Sequence, residues 1–196
     1  MPNVGFVVAG GRSRRMGRDK ALLPWGGTTL LDHAVARLRE VCPEVRILCG
    51  PELRYAEARL PVDVDVVADA GALGGVLTGL QRLGVDALGL FLGVDLPLVP
   101  AALLRHLLER AGDRDAVVPV SSGGPEPLCA VYRASCCPAI ERRIAAGDLK
   151  MTSFWPDVRV RQVDAAELAG FGDPLGMFRN VNAPEEYAAL MRESRR

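Results

Sequence analysis

The chain has 196 residues, 49% of them hydrophobic, which suffices for one buried core and matches the size of a single domain. Its 24 lysines and arginines balance its 24 aspartates and glutamates, so no overall field would draw it to nucleic acid or to a membrane. We therefore predict a single domain over residues 1–196, without a nucleic-acid or membrane partner.

Cysteine usage and the start of the chain bear on its location. Five cysteines occur without a CxxC pair that could begin a zinc site, which favours reduced thiols. The first residues lack the basic region, long apolar segment and cleavage site of an export signal. No apolar run approaches the roughly 20 residues of a membrane span. We expect the protein to be cytoplasmic.

Short apolar runs alternate with segments of helical period, the pattern of a sheet with helices on both faces. Two runs, 5–8 and 88–92, are almost continuously apolar, as central parallel strands buried on both sides would be. These features predict a three-layer α/β/α, Rossmann-like fold with a mostly parallel sheet. The predicted strands cover residues 5–8, 45–48, 64–67, 88–92, 116–118 and 128–132.

Several helices are predicted from apolar residues at helical spacing. The first, over 30–41, is opened by Thr29 with Asp32 three residues later, which predicts a capping box. Near the end of the chain, Asn182 with Glu185 three residues later is a further helix-cap pattern. The other helical segments are 103–111 and 139–145.

A glycine-rich basic loop over residues 9–20 follows the first strand and holds five cations against one carboxylate. Glycines let the backbone approach a ligand, and arginine and lysine neutralise phosphate oxygens, so this loop is a candidate polyphosphate site. In an open parallel sheet, ligands bind at the carboxyl ends of the strands. Lys20 stands three residues after Gly17, which excludes a Walker loop, and no G-x-G-x-x-G occurs. A solvated basic turn is the alternative.

Two carboxylates, Asp69 and Asp95, each follow a predicted strand. Asp69 precedes a glycine-rich turn over 71–75, and Asp95 precedes Pro97, which makes the chain leave the sheet. If the two central strands are neighbours, Asp95 faces the basic loop, where a carboxylate beside a triphosphate would bind Mg²⁺. The alternative is that both carboxylates hydrogen-bond to local backbone amides.

The basic loop is similar to a long family signature. Val8-Ala9-Gly10-Gly11, Arg15-Met16-Gly17 and Asp19-Lys20 resemble the L-A-G-G-x-x-x-R-M-G-x-D-K motif of the molybdenum cofactor guanylyltransferases, in the nucleotidyltransferase superfamily. The resemblance implies a fold of the nucleotide-diphospho-sugar transferase type. It also implies that Val8, Ala9 and Gly10 lie against guanine, with Gly11 as a further nucleotide-binding residue. Arg15 and Lys20 would hold the triphosphate and assist departure of pyrophosphate.

Further resemblances follow in the family's order along nearly the whole chain. Asp69 and Gly74 lie in a segment like D-x-x-x-x-G-P-L-x-G, whose aspartate contacts the nucleoside and whose glycines shape the pocket. Asp95 resembles the aspartate of the D-x-P metal motif. Asn180 and Asn182 lie in a segment like N-V-N-T-P-E, which the family associates with the pterin acceptor or the metal region.

Two positions bear on which base the family resemblance implies. The cytidylyltransferases usually carry alanine at the place of Gly10, so the missing methyl is expected to make room for the larger guanine. Where the family often has an asparagine contacting the nucleoside, this chain has Cys49, whose thiol cannot supply an amide's paired donor and acceptor. That change is expected to affect nucleotide affinity or base identity.

The reaction implied by the resemblance is attack of molybdopterin's terminal phosphate on the α-phosphorus of GTP, with release of pyrophosphate. An ionised phosphate needs no general base, so Asp95 with Mg²⁺, Arg15 and Lys20 would act by positioning and charge neutralisation. Mn²⁺ could substitute for Mg²⁺. The only two histidines, His33 and His106, lie on predicted helices, and we expect core or surface roles for both.

The expected partners are GTP and molybdopterin or the molybdenum cofactor, with transient contact to molybdenum-insertion or target molybdoenzyme proteins. We expect a monomer or a weak oligomer. Three rival functions stay open at this point: a molybdenum cofactor cytidylyltransferase, a sugar-phosphate nucleotidyltransferase, and a non-catalytic module that binds a nucleotide and hands over the cofactor.

Overall fold

The structure, a computed structural model, describes residues 3–11, 17–84 and 86–193. Its strands are β1 (Asn3–Val8), β2 (Pro24–Trp25), β3 (Thr28–Thr29), β4 (Glu44–Leu48), β5 (Val62–Asp63), β6 (Leu88–Gly93), β7 (Ala116–Ser121), β8 (Gly124–Pro125), β9 (Cys129–Arg133) and β10 (Val160–Val163). Its α-helices are α1 (Leu30–Arg39), α2 (Gly71–Leu80), α3 (Ala101–Glu109), α4 (Cys137–Ala145), α5 (Ala165–Leu168) and α6 (Pro184–Glu193).

Strand β1 lies inside the main sheet, whose order is β10-β7-β9-β6-β1-β4-β5. It pairs in parallel with β4 on one side and with β6 on the other, whereas β9 is antiparallel to both β6 and β7. Val8 is opposite Leu48 in β4 and opposite Gly93 in β6. The carboxyl ends of three neighbouring strands therefore meet at one edge, and the predicted mostly parallel sheet is confirmed.

Helices cover both faces of the sheet. Helices α1 and α3 contribute buried leucines such as Leu38 and Leu104 to one apolar core, and they contact each other across it. Helices α2 and α4 cover the opposite face, where the paired residues Phe6 and Phe91 stack with ring centroids 4.8 Å apart. The predicted α/β/α layers are confirmed, because each strand of the central pair buries side chains on both faces.

The predicted strand over 64–67 is wrong, since β5 ends just before it. The backbone amide of Asp65 donates to the carbonyl oxygen of Gly50 at 2.9 Å, and that of Val66 donates to Oγ1 of Thr78 at 2.9 Å. The first bond keeps the backbone beside the end of β4, and the second attaches it to α2 instead of to a neighbouring strand. The short strand β10 was not predicted, because two of its four residues are polar and no apolar run marks it.

The helix ends follow local capping chemistry. The capping box of α1 is confirmed, with the Asp32 amide donating to Oγ1 of Thr29 at 3.1 Å and the Thr29 amide donating to Oδ2 of Asp32 at 3.2 Å. At α6, Oε2 of Glu186 accepts from the Asn182 amide at 2.7 Å, so Glu186 supplies the carboxylate expected of Glu185. Within the described part of the chain, no helix is both long and apolar enough to cross a membrane.

Gly79 in α2 allows the helix to pack against the stacked phenyl rings. A Cβ atom added at Gly79 would lie 2.8 Å from Cε1 of Phe91 and 3.2 Å from Cδ1 of Phe6. Both rings are fully buried, so we expect Gly79→Ala to lower the free energy of unfolding by about 1–3 kcal/mol. Gly170→Ala is the control, since a Cβ there meets nothing within 4 Å. Equal urea midpoints for the two variants would contradict this packing argument.

Candidate functional site

A cavity of about 350 Å³ opens at the edge where the carboxyl ends of β1, β4 and β6 meet. The predicted site residues that line it are Val8, Gly10, Gly11, Lys20, Asp69 and Asp95. The remaining wall consists of Leu48, Pro51, Asp65, Gly71, Ala72, Gly75 and Leu128. The cavity therefore combines an apolar surface from strand ends with charged groups from the loops that follow them.

Lys20 and Asp95 face each other across the edge of this cavity. Nζ of Lys20 lies 2.6 Å from Oδ2 of Asp95, and the two side chains are 15% and 16% exposed. Nζ also donates to Oδ1 of Asn182 at 3.3 Å, and the Val181 amide donates to the Asp95 carbonyl oxygen at 3.0 Å. These contacts bring together the end of the basic loop, the turn after β6 and the segment before α6. Asp95 therefore faces the basic loop, as the sequence predicted.

Gly10 and Gly50 bring the ends of β1 and β4 into backbone contact. A Cβ on Gly10 would lie 2.8 Å from both Cα and N of Gly50, and a Cβ on Gly50 would lie 2.8 Å from the carbonyl oxygen of Gly10. Gly50 also has a φ of 84°, which favours glycine. The structure thus gives a different reason for Gly10 than the one expected from the sequence. The missing methyl allows this backbone contact, whichever base is bound.

Cys49 is fully buried beside the edge strand β5. Its Sγ lies 3.3 Å from the carbonyl oxygen of Asp63, and its side chain is absent from the cavity wall. Pro51, two residues later, lines the cavity in its place. Because the thiol lies in the core, its side chain is not placed to make the nucleoside contact that the family resemblance implies for this position.

Asp65 is a cavity carboxylate that the sequence analysis missed, because its segment was assigned to a strand. Among the described residues, its buried Oδ1 has no hydrogen-bond partner. Burial raises the pKa of Asp65 to about 6, and the nearby Arg54 guanidinium offsets part of that rise. An unpaired buried acceptor in a cavity wall is suited to a ligand that brings donors. The alternating V-D-V-D-V run was the available signal.

The predicted nucleoside residues of the glycine turn lie in two different settings. Asp69 is exposed at the cavity wall, and its φ of 58° places it in the left-handed region. Gly74 lies within α2, where a Cβ would be 2.8 Å from Cβ of Ala70. Gly75, one residue further, lines the cavity. Gly74 therefore acts on the shape of the pocket through the close packing of the first helical turn.

Two of the site residues predicted from the basic-loop signature, Ala9 and Arg15, are not among the described residues of the cavity wall. Ala9 is 3% exposed, and its carbonyl oxygen accepts from Nη2 of Arg54 at 3.2 Å. Its backbone amide donates to the Leu48 carbonyl oxygen at 2.9 Å, which extends the pairing of β1 with β4 by one residue. Arg15, predicted to hold the triphosphate, lies outside the described residues.

The two predicted asparagines face different spaces. Asn182 borders the Lys20–Asp95 pair through its 3.3 Å contact with Nζ. Asn180 is exposed and lines a second, more open concavity of about 560 Å³, whose wall includes Asn182. Asn182 therefore lies between the cavity of about 350 Å³, through its contact with Lys20, and the second concavity.

Glu126 is a second carboxylate that the sequence analysis did not select. Burial raises the pKa of Glu126 to about 7, and the neighbouring charge of Asp95 adds to the rise. The backbone on either side is held in place, since the Glu126 amide donates to the Pro119 carbonyl oxygen and its own carbonyl accepts from the Cys129 amide. Glu126 is therefore held just before β9, where the charge of Asp95 acts on it.

The oxygen atoms beside Lys20 fit a magnesium ion better than a zinc ion. In residues 3–11, 17–84 and 86–193, no group of three or more His, Cys, Asp or Glu side chains is arranged to hold a metal. The carboxylate of Asp95 and the amide oxygen of Asn182 both lie within hydrogen-bonding distance of Nζ of Lys20. Mg²⁺ takes one or two carboxylates and completes its shell with phosphate oxygens and water, so this sparse set suits it.

The histidines have structural contacts, as expected. Nε2 of His33 lies 2.9 Å from the Pro97 carbonyl oxygen, which connects α1 to the turn that carries Asp95. Burial lowers the pKa of His33. His106 pairs with Glu167 at 2.7 Å, away from the cavity wall.

Comparisons with known proteins identify the family to which the chain belongs. A family model described as the MobA-like NTP transferase domain matches residues 5–160. A probable molybdenum cofactor guanylyltransferase of Pelotomaculum thermopropionicum is 36% identical over 98% of this chain and 94% of its own length.

Solved structures of other proteins share the fold of this chain. Molybdopterin-guanine dinucleotide biosynthesis protein A from Archaeoglobus fulgidus aligns with a TM-score of 0.79 and 26% identity, over 93% of this chain and 94% of that one. A Mycobacterium tuberculosis protein solved in complex with manganese shares the fold, with a TM-score of 0.65 and 18% identity over 98% of this chain and 99% of that one. Along nearly its whole length, the chain is related to proteins named molybdenum cofactor guanylyltransferases. It belongs to the MobA-like NTP transferase family.

Proposed function

We propose that this chain, acting as a single domain over residues 1–196, transfers GMP from GTP to molybdopterin or the molybdenum cofactor. The products would be pyrophosphate and molybdopterin guanine dinucleotide. The observation that carries the proposal is the presence of Lys20, Asp65 and Asp95 around one cavity. These supply a cation for phosphate, an unpaired acceptor for a base and a carboxylate for a divalent ion.

Lys20 is the proposed phosphate-binding residue. Its ammonium would bind phosphate oxygens of GTP and neutralise the charge that builds on the leaving pyrophosphate. We assign Arg15 the same role on the basis of its motif. The attacking phosphate of molybdopterin is already ionised at neutral pH, so no side chain has to remove a proton. Positioning and charge neutralisation would supply most of the rate enhancement.

Asp95, together with Asn182, would hold Mg²⁺, for which Mn²⁺ could substitute. When bound, the ion would neutralise and orient the phosphates of GTP. Gly93 supports this arrangement, because a Cβ at that position would lie 2.6 Å from Oδ1 of Asp95. A larger residue there would displace the carboxylate that the reaction depends on.

Asp65 is the proposed base-recognition residue. The Watson–Crick edge of guanine presents two neighbouring donors, N1–H and the 2-amino group, and a carboxylate can accept both. Cytosine presents a ring acceptor at N3, which a carboxylate would repel. The apolar wall formed by Val8 and Leu48, with the backbone from Val8 to Gly11, would hold the rest of the nucleoside. Asp69 would contact the nucleoside from the exposed side.

The acceptor would approach from the side of Asn180, Asn182 and Glu126. Asn182 contacts Lys20, and Asn180 lies on the concavity next to it. Glu126 lies near Asp95 on the β9 side. Amide and carboxyl groups can hydrogen-bond to the polar edge of a pterin, which suits this surface to molybdopterin.

The rival functions make different demands on the same site. A cytidylyltransferase would need donors where Asp65 offers a carboxylate, and a sugar-phosphate nucleotidyltransferase would need no pterin. A non-catalytic handover module would not need the Lys20–Asp95 arrangement at all. We therefore prefer guanylyl transfer to molybdopterin over the three rivals.

We extend the proposal to location and partners. A cytoplasmic location is proposed because all five cysteines are free, as is usual in a reducing compartment. The protein would act as a monomer or weak oligomer and contact molybdenum-insertion or target molybdoenzyme proteins only transiently.

Pyrophosphate release with GTP, CTP, ATP or UTP tests the proposal, each nucleotide being assayed alone, with molybdopterin and with a sugar phosphate as the acceptor. We expect pyrophosphate to be released from GTP when molybdopterin is present, and not when it is absent. Preference for CTP would favour a cytidylyltransferase. Turnover with a sugar phosphate would favour a sugar-phosphate nucleotidyltransferase. Binding of GTP without any release would leave the handover module.

Asp95→Asn keeps the size of the side chain and removes the charge that would hold Mg²⁺. We expect turnover to fall by about 100-fold or more, while the melting temperature changes little. Asp148→Asn is the control, because Asp148 is exposed in the connection between α4 and β10. A variant at position 95 with parental, magnesium-dependent pyrophosphate release would contradict the metal assignment.

Asp65→Asn separates base recognition from folding. Replacing one acceptor oxygen by an amide donor is expected to weaken GTP binding by about 10-fold or more and to affect CTP much less. Asp69→Asn, prepared in parallel, tests whether the exposed carboxylate matters instead. Calorimetric titration of both variants with both nucleotides is the measurement. Equal losses for GTP and CTP would refute the role of Asp65 in base choice.

Asp65→Asn, which is expected to weaken GTP binding, is expected to raise the stability of the folded protein. Because the pKa of Asp65 is about 6 in the folded protein and 3.8 ordinarily, its ionisation opposes folding at neutral pH. Asp65→Asn should therefore melt at a higher temperature than the parent above about pH 6. The difference should shrink as the pH falls through this window and disappear below 3.8, where both states are protonated. A lower melting temperature at pH 7 would contradict this.

A further inference from the structure

Arg54 lies between β4 and β5, in a segment that none of the motifs covers. Its guanidinium contacts three separate parts of the chain. Nη1 lies 3.1 Å from Oδ2 of Asp19, and Nη2 donates to the Cys49 carbonyl oxygen at 2.7 Å and to the Ala9 carbonyl oxygen at 3.2 Å. Ala9 and Cys49 directly follow β1 and β4, so Arg54 joins two strand ends to the end of the basic loop.

Asp19 is the partner through which Arg54 can act on the cavity. Oδ1 of Asp19 accepts from the Ala21 amide at 3.0 Å and caps the short 3-10 turn over Lys20–Leu22. Oδ2 accepts from Arg54 and also from the Tyr55 hydroxyl at 2.7 Å. Lys20 is the first residue of the capped turn, so the position of its ammonium depends on where Asp19 is held.

Tyr55 supplies an independent observation on the same contact. Its φ of 61° lies in the left-handed region, which is costly for an aromatic residue, by about 1–3 kcal/mol. The side chain is 5% exposed, and the Arg54 guanidinium lies 5.3 Å from its ring centroid. Neighbouring contacts therefore hold a strained tyrosine in the orientation that brings its hydroxyl to Asp19.

We propose that Arg54 is a positioning residue, which through Asp19 sets the place of the Lys20 ammonium relative to the triphosphate of GTP. Tyr55 assists it by holding the other side of the same Asp19 oxygen. The inference rests on the proposed function, since it takes Lys20 as the phosphate-binding residue. Direct binding of phosphate by Arg54 is the competing explanation.

Arginine and lysine distinguish these two explanations. Arg54→Lys keeps the positive charge, but a single ammonium on a flexible chain cannot bridge a carboxylate and two carbonyl oxygens in fixed geometry. If Arg54 positions Lys20, we expect Arg54→Lys to weaken binding of GTP with Mg²⁺ by about 10-fold. If Arg54 contributes only charge near the phosphates, the lysine should bind GTP nearly as well as the parent.

A double-mutant cycle with Lys20→Ala tests whether the effect passes through Lys20. Isothermal titration with GTP and Mg²⁺, without acceptor, is measured for the parent, both single variants and the double variant. We expect the loss caused by Arg54→Lys to disappear in the Lys20→Ala background. Arg159→Lys is the matched control, because that exposed arginine pairs with Asp113 and Asp115 next to the amino end of β10. It should leave GTP affinity unchanged.

Tyr55→Phe provides a second variant in case Arg54→Lys does not fold, which thermal unfolding would reveal. It removes the hydroxyl donor to Asp19, and we expect a loss of about 3-fold that also disappears in the Lys20→Ala background. Equal losses with and without Lys20, or no loss from either variant, would overturn the positioning role alone. Parental GTP affinity of Lys20→Ala itself would overturn the phosphate-binding role of Lys20, and the proposal with it.

Discussion

Parallel hydrogen bonding of β1 to both β4 and β6 is the constraint on which the rest of the site depends. It places Val8 opposite Leu48 and Gly93, and the pairing continues past the strands, where the Ala9 amide donates to Leu48 and the Val94 amide to Val8. Three chain segments must therefore leave the sheet at the same edge. The space between their exits becomes the cavity, and the residues directly after the strands become its wall.

Close backbone contact at that edge leaves little freedom in residue choice. Gly10 and Gly50 touch with no space for a Cβ, and Gly93 leaves the space that a carboxylate oxygen of Asp95 occupies. Backbone groups freed by the ends of β1 and β4 still need partners, and the Arg54 guanidinium donates to the carbonyls of Ala9 and Cys49. The same side chain connects these strand ends to the loop that carries Lys20.

The charged groups around the cavity differ in how completely other protein groups pair with them. Lys20 and Asp95 pair with each other, whereas Oδ1 of Asp65 is buried without a hydrogen-bond partner among the described residues. Keeping such a carboxylate beside a cavity opposes folding, because burial favours its protonated form. A ligand with neighbouring N–H donors would relieve that cost, so the proposed base recognition by Asp65 would link the stability of the domain to its ligand.

The sequence by itself determined the layer architecture, the central strands and six of the thirteen cavity residues. Local patterns can be recognised without knowledge of the fold. They include the continuous apolar runs, the capping box and the family's signature of glycine, arginine and lysine. Val8, Gly10, Gly11, Lys20, Asp69 and Asp95 were found from them and line the cavity.

Only the tertiary structure identified Asp65, Glu126 and Arg54 as candidate functional residues. Each is defined by neighbours distant in the chain, as Arg54 is by Asp19, 35 residues away. The reason for Gly10 also became clear only from the pairing of β1 with β4, because its close neighbour is Gly50. Local patterns encode period and capping. Contacts between strand ends depend on the order and register of the sheet, which no single segment specifies.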